Sequence, residues 1–421
     1  MSKKSYEHRK ANTTLTIIRA DGSPLAGQTV EICQTRHEFL FGIGGFDAVE
    51  LAGGAPDGTA ISSERWTFLE ERFEKLLELH NFFTLPFYLG RYEAEEGKPD
   101  HARVMAGAQW LETKNVTLKG HPLCWHTAWA DWLMKYSNRE ILEKALRRIE
   151  RDVTLYKGTV DMWDVINEVV IMPIFDKYDN AITRVCKELG RLGMIREVFD
   201  TARAANPRAT LLLNDFDIST NYEILIDGCL EAGFPIDVIG VQSHQHQGYW
   251  GAGKVESVLE RFTHFGLPVH FTENTIISGD IMPPHIVDLN DWQVERWPST
   301  PAGEERQARE VVEMYELLFA HPAVEAITHW SPVDGLWLKA PAGFLRADNS
   351  EKPVFAALRE KIKGEWWTKE SLTTDENGKV SLCGFRGDYV LKTTGGQGRF
   401  ALDGKNRELT VVARPHEPVD L

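Results

Sequence analysis

The 421-residue sequence predicts an α/β fold, a (β/α)8 TIM barrel with a small accessory β-sandwich built from the N- and C-terminal segments. Three observations lead to this prediction. Between about residues 20 and 341, a short β-branched or aromatic run is followed, eight times over, by a loop and a longer stretch with apolar residues at helical spacing. Both ends instead alternate apolar and polar residues. With 43% hydrophobic residues, the chain has enough apolar side chains for one large domain and one small one.

The eight predicted strands are short, and the intervals between them leave room for helices. Counted along the chain, they cover residues 39–42, 82–86, 116–121, 160–166, 210–213, 238–241, 268–272 and 326–330. Helices are predicted between them from amphipathic stretches that include 63–80, 138–156, 194–204 and 304–319. Active sites of such barrels lie at the carboxyl ends of the strands, so the residues that follow each strand are the first candidates for chemistry.

The two ends of the chain predict antiparallel strands. Residues 14–33 alternate apolar and polar side chains around the turn sequence DGSPLAG, and residues 372–413 show the same alternation. Neither end is long enough to form a stable core alone. We therefore expect residues 1–36 and 366–421 to pair into one small β-domain, which leaves residues 37–365 for the barrel.

The charge balance disfavours several classes of partner. With 47 basic and 62 acidic side chains the net charge is −15, whereas nucleic acids and anionic membranes attract basic surfaces. The five cysteines are scattered without a CxxC pair, so neither a disulfide framework nor a zinc knuckle is expected. The given chain has no apolar stretch of roughly 18 residues and no signal-peptide pattern, so no membrane span or leader is expected. The glycine-rich FGIGGF at 41–46 lacks the spacing of a phosphate-binding loop.

Two glutamates stand at the ends of predicted strands. The fourth strand ends in WDVINE, which places Asn167 and Glu168 at the mouth of the barrel, and the seventh ends in LPVHFTEN, which places Glu273 there. A lone glutamate in such a position is more often an ion-pair partner. Strands four and seven lie on opposite sides of a barrel, however, so the two carboxyl groups can face each other across a cleft. Cleavage of a glycosidic bond requires such a pair, because one group protonates the leaving oxygen while the other attacks or activates water.

Several motifs of the sequence resemble those of glycoside hydrolase family 10, the endo-β-1,4-xylanases. They are GHPLCWH at 120–126, WDVINE at 163–168, LLLNDFDI at 211–218, GVQSH at 240–244 and THWSPVDGLW at 328–337. They occur in the family's order and at suitable spacings across about residues 35–360. The resemblance implies a barrel enzyme that hydrolyses xylan or a xylan-like polysaccharide or oligosaccharide with retention of configuration. It implies neither a cofactor nor a metal.

The resemblance also implies roles for individual residues. Glu168 corresponds to the general acid/base and Glu273 to the nucleophile of a double displacement, so their carboxyl groups are expected about 5–5.5 Å apart. Asn167 is expected to bind the 2-hydroxyl of the sugar at the cleavage point. The other sugar-site candidates are polar or aromatic side chains after strands two, three, six and eight: Tyr88, Arg91, His121, Trp125, Gln242, His244, Trp330 and Trp337. Because the family is mostly secreted, an extracellular or periplasmic location is expected.

Two segments depart from the family pattern. After strand two, the family has a polar segment like TPENEMKW, whereas residues 84–93 of this chain read TLPFYLGRYE, with an apolar PFY at 86–88 and Arg91 as a candidate to replace the lysine. After strand seven, the family's TELD becomes TENT, so Thr275 replaces an aspartate that orients the histidine equivalent to His244. His244 is then held by another group or is more mobile. The strand-two departure leaves plain xylan, a decorated xylan and another β-glycan open as substrates.

Two other functions fit parts of the sequence. A metal-dependent barrel hydrolase is suggested by histidines at several predicted strands: His121, His126, His244, His246 and His270. The carboxylated lysine or aspartate set that such sites require is not identifiable. A catalytically silent carbohydrate-binding barrel is suggested by the two departures, although a pure binder has no need of the two glutamates. The small β-domain is either a carbohydrate-binding module or a cap on the barrel, and the few aromatic residues in 371–421 favour the cap. Endo or exo action and the oligomeric state stay open.

Overall fold

The computed structural model describes residues 5–286 and 289–415. The chain divides into two compact units. The larger unit is Phe41–Phe355, and the smaller one combines the residues up to Leu40 with those from Ala356 onward. The predicted boundaries lie after residues 36 and 365, so the smaller unit is longer than predicted by residues 37–40 at the first junction and by residues 356–365 at the second.

The larger unit is a closed barrel of eight parallel strands, which confirms the predicted fold class. In chain order the strands are β1 (Leu40–Gly44), β2 (Phe82–Pro86), β3 (Thr117–His121), β4 (Met162–Asn167), β5 (Thr210–Asp215), β6 (Val238–Val241), β7 (Val269–Ile276) and β8 (Val324–His329). Each strand pairs with the next, and β8 also pairs with β1, which closes the sheet. A two-residue strand, His244–Gln245, extends the sheet beside the end of β7. The carboxyl ends of all eight strands therefore lie at one mouth.

Helices connect the strands. Those of the described residues are α1 (Asp47–Gly53), α2 (Ser63–Leu79), α3 (Leu89–Tyr92), α4 (His101–Glu112), α5 (Asn138–Leu155), α6 (Ala181–Ala205), α7 (Thr220–Glu231), α8 (Ala252–Thr263), α9 (Pro301–Phe319) and α10 (Pro353–Glu360). Polar caps start several of them. Before α5, Ser137 accepts from the Glu140 N–H, and the Glu140 carboxylate accepts from the Ser137 N–H. Within the described ranges, no helix is both long and apolar enough to cross a membrane.

The helix after β4 is longer than the sequence pattern predicts. The pattern assigns a helix to residues 194–204, whereas α6 covers Ala181–Ala205. The backbone turns at Gly190, whose φ of 72° lies in the left-handed region. The kink rotates the two halves of the helix relative to each other, so a single 3.6-residue repeat does not run through both. The first half was missed for this reason.

The glycine-rich segment 41–46 belongs to β1 and the turn after it. A side-chain β-carbon at Gly44 would come within 2.5 Å of the Trp330 carbonyl oxygen. Glycine therefore allows β1 to lie directly against the segment that follows β8. This close approach brings Phe46 to the mouth of the barrel, with its ring edge against Trp330 at a centroid distance of 5.4 Å.

The smaller unit is a two-sheet β-sandwich to which both ends of the chain contribute. In the first sheet the order of strands is Lys379–Phe385, Lys10–Arg19 and Glu408–Ala413. In the second sheet it is Lys369–Thr373, Thr29–His37, Gly387–Thr393 and Gly396–Leu402. Side chains from both ends form the core, including the fully buried Leu15, Ile32 and Leu391. This arrangement agrees with the predicted accessory β-sandwich.

Candidate active site

Glu168 sits on a left-handed turn directly after β4. Its φ is 58°, which is uncommon for a residue with a β-carbon. Three contacts hold the turn. The Glu168 N–H donates to the Asn214 carbonyl (2.9 Å), the Val170 N–H donates to Asp215 Oδ2 (3.0 Å), and Arg191 Nε donates to the Val170 carbonyl (2.8 Å). The surrounding structure thus fixes a backbone conformation that directs the glutamate into the mouth.

The Glu168 carboxyl group has a high proton affinity. Burial raises its pKa to about 8, and the nearby charge of Glu273 adds to the shift. The nearby Trp125 and Gln242 side chains oppose the shift of this pKa without cancelling it. Glu168 Oε1 accepts from Asn167 Nδ2 at 3.2 Å and from Gln242 Nε2 at 3.3 Å. Glu168 is therefore mostly protonated at neutral pH.

Glu273, within the second half of β7, has the opposite character. Its side chain is buried, which disfavours its charge, but the nearby charge of His121 and a hydrogen bond from His244 outweigh burial and hold its pKa below the usual range. Oε1 accepts from Asn214 Nδ2 at 2.8 Å and lies 3.9 Å from His121 Nδ1. Oε2 lies 3.3 Å from His244 Nε2. These contacts keep the Glu273 side chain in its ionised, carboxylate form.

Asn214 links the two glutamates and was not identified from the sequence as a site residue. Its Nδ2 donates to Glu273 and, at 2.7 Å, to Asn167 Oδ1, while its Oδ1 accepts from Thr272 Oγ1 at 2.6 Å. Gln242 Nε2 joins the same network through Asn167 Oδ1 at 3.1 Å. The sequence signal that could have identified Asn214 is a polar side chain at the end of an apolar strand. In the barrel, Asn214 pairs in register with Asn167 of the neighbouring strand.

A buried ion pair beneath the site was also missed. Lys119 Nζ and His121 Nδ1 both lie 2.7 Å from Asp164 Oδ2, and all three side chains are almost fully buried. Burial disfavours the charge of Asp164, yet Lys119 and His121 together keep its pKa below the ordinary value. The pair fixes the ring of His121 on the side of the cleft where it faces Glu273. Its sequence signal is a lysine and an aspartate inside apolar strands.

Aromatic rings line the mouth on the side of β1, β2 and β3. The ring of His121 lies 4.9 Å from Trp330 and 5.5 Å from Tyr88, and Tyr88 lies 5.8 Å from Trp125. Phe46, which was not predicted, completes this group through edge contacts with Tyr88 and Trp330. Aromatic faces of this kind pack against the C–H surfaces of sugars.

His244 is held on two sides despite the departure at position 275. Thr275 Oγ1 lies 3.2 Å from His244 Nδ1, and the Trp337 ring stacks on His244 at 4.6 Å with an interplanar angle of 12°. Thr275 itself therefore orients the histidine that contacts Glu273.

In residues 84–93, at the end of β2 and after it, some side chains lie in the core and others lie at the surface. Phe87 turns away from the mouth and is fully buried against Tyr156 and Trp163. Of the apolar residues 86–88, Tyr88 is the one whose ring joins the aromatic group. Arg91 is exposed on α3, and the described residues give it no hydrogen bond to the other candidates.

Of the histidines suggested as metal ligands, His121 and His244 both lie beside Glu273, whereas His126 and His270 lie elsewhere. The described residues contain no group of three or more histidine, cysteine, aspartate or glutamate side chains that could hold a metal ion. His126 packs against Phe175 at a ring distance of 4.6 Å, and burial lowers its pKa to about 4. His270 is buried in β7 beside Glu325.

The family model of glycosyl hydrolase family 10 matches residues 87–361. Among curated proteins, endo-1,4-beta-xylanase 2 of Arabidopsis thaliana is 24% identical over 98% of this chain and 34% of its own length. The endo-1,4-beta-xylanase/feruloyl esterase of Xylanibacter ruminicola is 28% identical over 46% of this chain and 30% of its own length. The chain thus spans about a third of the length of these relatives.

Solved structures share the fold. Native xylanase 10B from Thermotoga maritima superposes with a TM-score of 0.60 at 21% identity, covering 78% of this chain and 96% of that one. Xylanase 10B from Thermotoga petrophila RKU-1, in complex with xylobiose, superposes with a TM-score of 0.61 at 21% identity, covering 78% and 95%.

Proposed function

The chain belongs to glycosyl hydrolase family 10, and from that premise we propose that it is a retaining glycoside hydrolase that cleaves β-1,4-linked xylan or a xylan-like plant polysaccharide. One observation carries the proposal. Glu168, directly after β4, and Glu273, within β7, have pKa values displaced in opposite directions, upward to about 8 at Glu168 and downward at Glu273. Such a split assigns the acid and the nucleophile of a glycosidase.

In the first step, the Glu273 carboxylate attacks the anomeric carbon while Glu168 gives its proton to the glycosidic oxygen. The bond to the leaving sugar breaks, and a glycosyl ester forms on Glu273. Asn214 and His244 keep the nucleophile ionised and oriented before the attack. Asn167 is positioned by Asn214 to bind the neighbouring sugar hydroxyl.

In the second step, Glu168 acts as a base. Ester formation removes the charge of Glu273, and that charge is one cause of the raised pKa of Glu168. Glu168 therefore holds its proton less tightly in the intermediate and takes a proton from water. The resulting hydroxide equivalent displaces Glu273 from the anomeric carbon, which restores the starting configuration and both carboxyl groups.

The relatives support the choice of substrate and location. The curated relatives of Arabidopsis thaliana and Xylanibacter ruminicola are named as xylanases, and one structural neighbour was solved with xylobiose. The aromatic group around His121 and Trp330 suits a polysaccharide or oligosaccharide partner. The usual secretion of the family supports an extracellular or periplasmic site of action.

Product analysis tests the proposal. The purified chain is incubated with linear xylan, glucuronoarabinoxylan, mannan, mixed β-glucan and xylo-oligosaccharides, and NMR follows the configuration of the first product. We expect xylan fragments with retained β-configuration. Glu273→Ala should abolish cleavage, whereas Glu260→Ala, an exposed change on α8, should not. An inverted product would refute the double displacement, and cleavage of another glycan alone would replace the substrate. No cleavage of any glycan would favour a silent binding barrel.

A further inference from the structure

The segment after β2 is anchored beside the sugar site. The Gly90 N–H donates to the Ala128 carbonyl at 2.7 Å, and a β-carbon at Gly90 would come within 2.3 Å of the Trp129 carbonyl oxygen. Trp132 Nε1 donates to the Glu93 carbonyl at 2.8 Å. Helix α3 therefore lies directly on the segment that follows β3. The same segment carries Trp125 of the aromatic group, so α3 has a fixed place at the rim of the site.

Arg91 on this helix is an exposed cation, although acidic residues follow it closely. Those acids are already paired with other cations: Glu93 with Arg151 (2.7 Å), Glu95 with Lys98 (2.7 Å), Glu96 with Lys135 (2.8 Å) and Lys144 (2.6 Å), and Asp100 with Arg103 (2.5 Å). Among the described residues, no carboxylate forms an ion pair with Arg91. Its guanidinium is therefore available to a ligand.

Tyr88 connects this cation to the sugar site. Its half-buried ring contacts His121 and Trp125, and its hydroxyl forms no hydrogen bond to the described part of the chain. Burial and the charge of Glu273 raise the pKa of Tyr88, and the charge of Arg91 opposes them. The Arg91 N–H donates to the Tyr88 carbonyl at 2.9 Å, so Arg91 lies one turn after the tyrosine whose ring contacts His121 and Trp125.

We propose that the substrate carries an acidic substituent, of the uronic acid class, on a sugar bound beside Tyr88, and that Arg91 binds its carboxylate. The inference rests on the proposed function and specifies which β-1,4-xylan the site selects. A guanidinium offers two parallel N–H donors to a carboxylate. The chain as a whole has a net charge of −15, which repels an acidic polysaccharide. A local, unpaired cation at the rim provides the attraction that such a substrate needs.

The test compares two oligosaccharides that differ in charge alone. One is a xylo-oligosaccharide with a single glucuronic acid branch, and the other is the same molecule after reduction of its carboxyl group to an alcohol. We expect the full chain to prefer the acid in kcat/KM. Arg91→Gln should lower the ratio of kcat/KM for the acid to kcat/KM for the alcohol by roughly 2- to 5-fold, as for a partly exposed ion pair. Arg91→Lys keeps the positive charge, so it should retain part of the preference for the acid. Lys98→Gln removes a cation that is paired with Glu95 in the segment after α3, and it should leave the ratio unchanged.

Binding separates this inference from the proposed function. Calorimetry with the Glu273→Ala variant measures the Kd for both oligosaccharides without turnover. Preferred binding of the acid that depends on Arg91 supports the inference even if the wild-type chain cleaves neither molecule, which would overturn the proposed function alone. Equal binding of acid and alcohol, binding of neither, or an acid preference that survives Arg91→Gln would overturn the inference.

Discussion

Glu168 and Glu273 have the same side chain, but their surroundings give them different proton affinities. Glu168 receives only neutral amide donors, and both burial and a neighbouring carboxylate favour its protonated form. Glu273 is the more deeply buried of the two, yet two histidines and Asn214 stabilise its charge. Donor type and local charge therefore decide which glutamate is protonated, since burial alone would favour the protonated form of Glu273.

These differences predict a bell-shaped pH profile of kcat/KM. Activity on xylo-oligosaccharides should fall as pH rises through about 8, because Glu168 loses the proton that the leaving oxygen needs. It should persist well into the acidic range, because the lowered pKa of Glu273 keeps the nucleophile ionised. An aryl β-xyloside whose leaving group is an acidic phenol needs no proton from Glu168. The fall of kcat/KM at alkaline pH should therefore be weaker for this substrate. The same alkaline limb for both substrates would contradict the role of Glu168.

Asn214→Ala tests the link between the two glutamates. Hydrogen bonds to charged groups contribute about 1.5–3 kcal/mol, so kcat/KM should fall roughly 10- to 150-fold. The acidic limb of the pH profile should also move to higher pH, because Glu273 loses a donor to its charged form. Asn206→Ala is the matched control, since Asn206 is equally buried but bonds Asp161 at the other end of β5. A similar movement of the acidic limb in both variants would show that Asn214 acts through general stability.

At the scale of secondary-structure elements, most of the barrel was predictable because each strand is a short apolar run with a local signal. The predicted ends of β2 and β6 agree with the structure, and β7 is longer because its polar end residues are still buried strand. Glu168 and Glu273 were predicted because a carboxylate at an apolar strand end has a clear cost. Lys119, Asp164 and Asn214 were not, since their partners lie on neighbouring strands and no local pattern identifies which side chains meet.

Gly190→Ala tests the kink in α6. The Gly190 backbone, with φ 72° and ψ 166°, adopts a conformation that is almost restricted to glycine, so a β-carbon there costs about 1–3 kcal/mol. No atom lies within 4 Å of the β-carbon position, so the cost is that of the backbone alone. The free energy of unfolding, measured in urea, should fall by about this amount. Gly253→Ala on α8 provides the control, because it also has open space and lacks the left-handed φ. Alanine there should be neutral or stabilise the helix by up to about 1 kcal/mol. Equal losses at both positions would contradict the interpretation.

At the scale of the whole molecule, the chain builds two separate cores. Leu391→Ala removes a fully buried side chain from the core of the β-sandwich and should destabilise that unit by about 2–5 kcal/mol. Hydrogen exchange measured by mass spectrometry should show faster exchange in peptides from residues 29–37 and 387–402. Leu391→Met, which nearly conserves volume, should change exchange much less. Unchanged exchange in the alanine variant would show that the two sheets do not depend on this core.

The pairing of Lys10–Arg19 has a consequence for biosynthesis. Its parallel partner begins at Glu408, which pairs with Thr14, so 408 − 14 = 394 residues of chain separate the two. At the usual ribosomal rate of about 5–20 residues per second, the first strand waits roughly 20–80 s for that partner. The barrel strands, by contrast, pair with the next strand along the chain, except for the closing pair of β1 and β8. During translation, the β-sandwich is therefore completed after the barrel, and its first strand waits longer for this partner than any barrel strand waits for its own.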